Sequence, residues 1–132
     1  MTPTIEERLD AADELLRGSV TDAGGLWSRA TVWILRIVLE QAMDELWARV
    51  APPVARCNMR AQLLALTSCA GADTAARVSA LWATLSRAGH HQDYELAPTV
   101  VELRAWYHET GRLVDALAVP GSEGDTAGGE SP

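Results

Sequence analysis

Apolar residues recur three and four positions apart along most of the chain, and no stretch keeps the strict alternation of a strand. The pattern predicts five helices. The first covers Ile5–Arg17: Thr4 and Glu7 form a capping box, and Ile5, Leu9, Ala12, Leu15 and Leu16 make one stripe. Gly18 stops it, and Gly24-Gly25 marks a loop beyond. The second covers Leu26–Val50 and ends at Pro52-Pro53. Its polar residues Arg29, Arg36, Glu40 and Asp44 fall on one narrow strip of the helical wheel. Trp27, Ala30, Trp33, Ile34, Ile37, Val38, Ala42, Met43, Leu46, Trp47 and Val50 occupy most of the rest. A helix wet on so little of its circumference belongs at the centre of a bundle or at a subunit contact.

The third helix is expected from Pro53 to Ala70, with Leu63, Leu64 and Leu66 in the core and Gly71 as its stop. The fourth is expected to start at an N-cap, Asp73, and to end at Gly89, burying Val78, Leu81, Trp82 and Leu85. After an irregular link, His90–Pro98, the fifth opens on a second capping box, Thr99 with Glu102. It carries Leu103, Trp106, Tyr107, Thr110, Leu113, Val114 and Leu117 at helical spacing. Short connections make neighbours antiparallel. The fold class is therefore all-α, an up-and-down bundle of four main helices plus a short N-terminal one. It forms a single domain over 1–119, followed by an acidic tail, 120–132, that holds nothing large enough to dock and is expected to be disordered.

Charge narrows the partners. The net charge is −7, and all eleven basic residues are arginine. Six acids against Arg8 and Arg17 crowd residues 1–22, and the tail adds Glu123, Asp125 and Glu130. The body between carries nine arginines against nine acids. The balance argues against an anionic membrane surface and against DNA. RNA stays open, because only long-range steering is lost and a local arginine cluster still reads phosphate. No basic-then-apolar leader and no membrane-length run is visible, so a cytoplasmic location is expected. Cys57 and Cys69 match no zinc or redox spacing and read as two buried thiols.

The densest polar stretch runs from Ser86 to Glu95 at the end of the fourth helix. Arg87 shares its side of that helix with Ala76, Ala80 and Ala83, a face suited to a close helix contact such as a dimer seam. With Trp27, Trp33 and Ile37 of the second helix, these alanines are the interface candidates. Arg87, His90 and His91 are the candidate catalytic group: an imidazole titrates near neutrality and serves as acid or base, while a guanidinium stabilises a pentavalent phosphorane. The plainer alternative has Arg87 and His90 bonded to the exposed carbonyls of the helix end. Adjacent histidines rarely chelate one ion, and no i, i+4 ligand pair exists, so neither a metal nor another cofactor is expected. Arg104, His108 and Arg112 line the wet face of the last helix, a small cationic strip or plain surface. Ser86 has no nucleophile elbow around it, and Gly24-Gly25 is followed by no Lys-Ser/Thr.

The stretch Ser28–Trp47, with Glu40, Ala42 and Leu46 in a Glu-x-Ala-x-x-x-Leu pattern, resembles the long second helix of HEPN domains. Ala80–Arg87, at a helix end, sits where such domains carry an Arg-x4–6-His motif. The resemblance covers residues 26–117. It implies a homodimer with paired Arg and His groups at the seam, cleaving RNA without metal, in toxin–antitoxin or phage-defence modules that also include non-catalytic members. From Arg87 the motif's spacing falls on Gln92, Asp93 or Tyr94, whereas the histidines follow after only two and three intervening residues. Two functions are thus expected: a HEPN-like endoribonuclease or its degenerate relative, and a non-enzymatic homodimeric adaptor that binds a protein, such as one from its own operon, through apolar helix faces.

Overall fold

The computed structural model describes residues 2–18, 26–89 and 98–118. The acidic tail and the histidine-bearing link lie outside the described residues. Among those described, five α-helices and one 3-10 turn occur, with no strand. Helix α1 is Ile5–Arg17, α2 Leu26–Val50, α3 Met59–Ala70, α4 Ala72–Gly89 and α5 Val100–Ala118.

The caps set the starts. Thr4 Oγ1 accepts from the Glu7 amide at 3.0 Å, while the Glu7 carboxylate accepts from the Thr4 amide at 2.8 Å. Thr99 and Glu102 repeat this at 3.1 and 2.9 Å. Two starts differ from expectation. Pro52–Arg56 winds as a 3-10 turn, so α3 begins only after Asn58, whose side chain accepts from the Ala61 amide at 2.9 Å. The prolines suit the tight turn, but the first α-helical amides there need an acceptor, and Asn58 supplies it. Helix α4 begins at Ala72 rather than after Asp73, which lies within its first turn. Gly71 alone joins α3 to α4, at φ 90°, a backbone state glycine adopts without strain.

Four helices alternate in direction. The Pro3 carbonyl accepts from Gln41 of α2, and Asp13 near the end of α1 meets Arg104 near the start of α5. Arg49 of α2 donates to the Leu117 carbonyl of α5 at 2.7 Å, so α2 and α5 end together. Gly89, the last residue of α4, faces Val32 and Arg36 in the first half of α2. Helices α1, α2, α4 and α5 therefore run up, down, up, down, and α3 doubles back on α4. The bundle is up-and-down, with α2 touching α1, α4 and α5.

Val32, Leu35, Val38, Leu39, Met43, Leu46 and Trp47 of α2 are buried against Leu16, Ala12, Val78, Leu85, Leu103, Leu113 and Leu117. Thr31 and Thr110 are buried too, each hydroxyl donating at 2.7 Å to the carbonyl one turn back, Trp27 and Trp106. On α3 the expected leucines divide. Leu66 is buried, Leu63 is half-buried, and Leu64 is 74% exposed. The core position goes instead to Gln62, whose Oε1 accepts from the buried Trp47 indole at 3.0 Å. Its Nε2 donates to the carbonyls of Cys57 (2.8 Å) and Ala55 (3.4 Å). A buried indole N–H needs a partner, and the glutamine that provides one displaces Leu64 to the far side of the helix. Both cysteines are exposed, contrary to expectation: Cys57 closes the 3-10 turn and Cys69 sits in the last turn of α3.

Candidate functional site

Three surfaces carry the candidate side chains, and packing leaves two of them unused. The first is the outer side of α3 and α4. Ala76, Ala80 and Ala83 are exposed along α4, and Arg87 in its last turn is exposed on the same side. Beside them lies an open groove of about 440 Å³ whose walls include Leu63, Leu64, Ala75, Ala76, Ser79 and Trp82, with Arg60 at its edge. No described carboxylate lies within 4 Å of Arg87 or Arg60. The candidate partners of Arg87, His90 and His91, lie outside the described residues.

The second surface is the wet side of α2. Trp33 is 65% exposed, although it is one of the largest apolar side chains in the chain. At about 100° per residue it falls between Glu40 and Asp44, inside the polar strip rather than opposite it. Trp27 and Ile37, by contrast, are half-buried. Arg29, Trp33 and Arg36, with Ala30, Val32 and Gly89, line a pocket of about 400 Å³. The Arg36 guanidinium lies 4.9 Å from the centre of the Trp82 ring, a cation–π contact that fixes its position. Its Nε is buried without an acceptor. Neither Arg29 nor Arg36 has a described carboxylate within 4 Å.

The third surface is the α5 strip, and it is already neutralised. Arg104 bonds Asp13 at 2.7 Å and lies 5.4 Å from the centre of the Tyr107 ring. Arg17 reaches the same carboxylate at 2.9 Å. Arg112 bonds Glu109, and so does Arg77 of α4, through two bonds of 3.0 and 2.9 Å. The Arg104 hydrogen bond holds Asp13 below the usual carboxylate range, with the charge of Arg17 adding to it against partial desolvation. The Arg77 bond does the same for Glu109, with Arg112 in support, and raises Arg77 in return. His108 is exposed and meets the Tyr107 ring edge-on. These groups tie α1, α4 and α5 together, and they leave little cationic character for a ligand.

Sequence reasoning marked Arg87 and the alanine face. It missed the groove beside Leu64 and the grouping of Arg29 with Trp33. The second was recoverable, since wheel arithmetic alone places Trp33 on the wet strip. Among the described residues no three His, Cys, Asp or Glu side chains gather as metal ligands, and no helix is long and apolar enough to cross a membrane. Comparison of the chain with family models, curated proteins and solved structures returns no match.

Proposed function

We propose that the protein is a homodimeric adaptor that binds through the outer face of α3 and α4. The observation that carries this reading is Leu64, 74% exposed at an apolar groove that adjoins Ala76 of the exposed alanine stripe. Small residues let a second helix backbone approach closely, and a leucine at a groove supplies the apolar area that association requires. In sizing with light scattering at tens of micromolar, the wild-type chain is expected to run as a dimer. Leu64→Glu and Ala80→Glu are expected to run as folded monomers. A wild-type monomer under those conditions overturns the reading.

One observation favours a second reading, a HEPN-like ribonuclease of a toxin–antitoxin or phage-defence module. Arg87 ends the same face, so a symmetric pairing there would bring two copies of it to the seam. With His91 or His90 as acid/base, such a pair would cleave RNA by attack of the 2′-hydroxyl on the adjacent phosphorus. The leaving 5′-oxygen would be protonated by the imidazole. Growth arrest on expression, relieved by Arg87→Ala or His91→Ala, together with RNA cleavage by purified protein, would favour this reading. RNA left intact over hours at high protein concentration removes it.

A further inference from the structure

The structure assigns a second site, distinct from the α3–α4 face: we infer that the Arg29–Trp33–Arg36 pocket binds a nucleotide, its base stacked on the Trp33 indole and its phosphate held by the two guanidiniums. Arg29 and Arg36 are seven residues apart, so their Cα atoms stand about 10.5 Å apart along the helix and about 20° apart around it. Trp33 lies between them, four residues after one and three before the other. An anionic group and a flat ring therefore meet complementary partners on one face of one rigid helix. The pocket, about 400 Å³, is within the size range of small-molecule sites, and Ala30 and Val32 line it beside the charged groups.

Two further features point to an anion. In a chain of net charge −7, these two arginines, like Arg60 and Arg87, have no described acidic neighbour within 4 Å, whereas Arg17, Arg77, Arg104 and Arg112 all do. Arg36 is held by Trp82 and keeps a buried Nε with no acceptor, so it needs little further ordering to take one. Gly89 lines one side of the pocket, where a Cβ would sit 3.8 Å from Arg36 Nη1 and 3.9 Å from Val32 Cγ1, in ordinary van der Waals contact. The carbonyl end of α4 carries about half a negative charge, which two full positive charges outweigh. An indole left 65% exposed between arginines is the arrangement with which nucleobases are stacked and their phosphates neutralised.

The test titrates the full chain with AMP, adenosine, inorganic phosphate and a short single-stranded oligoadenylate, followed by calorimetry and tryptophan fluorescence. AMP is expected to bind one to one, more tightly than adenosine or phosphate alone, and to quench fluorescence. Trp33→Ala is expected to weaken AMP roughly tenfold or more and to remove the quench, while circular dichroism stays unchanged. Arg29→Gln and Arg36→Gln should each weaken it several-fold; Arg29 is exposed, so its variant folds whatever Arg36→Gln does. An oligoadenylate that binds more tightly than AMP, with the same dependence on the variants, means the pocket takes one nucleotide of a strand. Equal or weaker binding means it takes the free nucleotide. No binding of AMP or oligoadenylate at millimolar concentration overturns the inference, as does binding unchanged by Trp33→Ala and Arg29→Gln. Phosphate binding as tightly as AMP removes the stacking half. None of these results bears on the Leu64 and Ala80 variants, so this site and the dimer face stand or fall separately.

Discussion

Two of the three tryptophans of α2, Trp33 in its first half and Trp47 near its C-terminal end, have opposite fates. Trp47 is fully buried, its indole nitrogen bonded to Gln62, with Arg49 two residues on locked to the end of α5. Trp33 is mostly exposed, between two arginines without described acidic partners. Both lie on one continuous helix of 25 residues. The difference arises from what packs against each end. The 3-10 turn and α3 deliver Gln62 to Trp47, while the wet strip of α2 leaves Trp33 uncovered. A saturated end stabilises the fold, and an unsaturated one is available for binding.

That contrast can be broken from the buried side first. Trp47→Ala is expected to cost about 3–5 kcal/mol, read as a lower urea midpoint, because it empties the centre of the core. Gln62→Leu keeps the volume but strands the indole N–H and two carbonyls. A loss of about 1–3 kcal/mol in urea unfolding is expected, and an unchanged midpoint would mean that water substitutes for the amide.

The ion pairs between helices give a smaller, pH-dependent effect. Asp13 and Glu109 are held below their ordinary values, so the unfolded chain binds more protons than the folded one in acid. Their contribution is complete above the unfolded carboxylate pKa of about 4 and is lost as pH falls through the lowered folded values. The urea midpoint should therefore drop on acidification. The gap between wild type and Glu109→Gln should be widest above the ordinary carboxylate range and close as pH falls through the lowered folded value of Glu109. At the exposed end, Trp33→Ala should change stability by less than about 0.5 kcal/mol while removing nucleotide binding. A large loss of stability would mean that Trp33 packs in the folded protein, and the contrast between the two ends would fail.

Much of the architecture was legible in the residues. Thr4 with Glu7, Gly18, the diproline after Val50 and Thr99 with Glu102 marked helix ends that the structure reproduces for α1, α2 and the start of α5. These signals are local: a side chain caps amides three residues away, or a ring forbids the next turn. The start of α3 was misplaced because a 3-10 turn and an α-helix share residue preferences across two prolines, and the Asn58 cap decides between them. Of the candidate site, Arg87 and the alanine face were legible as one side of one helix. The groove was not, since it needs α3 beside α4.

By itself the sequence determined a helical chain, the capping boxes of α1 and α5, and an α2 that is polar on one strip, because each depends on neighbours within a turn or two. Only the tertiary structure decided that Gln62 rather than Leu64 enters the core, that Asp13 of α1 pairs with Arg104 and Arg77 of α4 with Glu109, and that Arg36 rests on Trp82. Those outcomes depend on groups from different helices meeting, and the energy of a buried donor or an unpaired charge has no value until its surroundings exist.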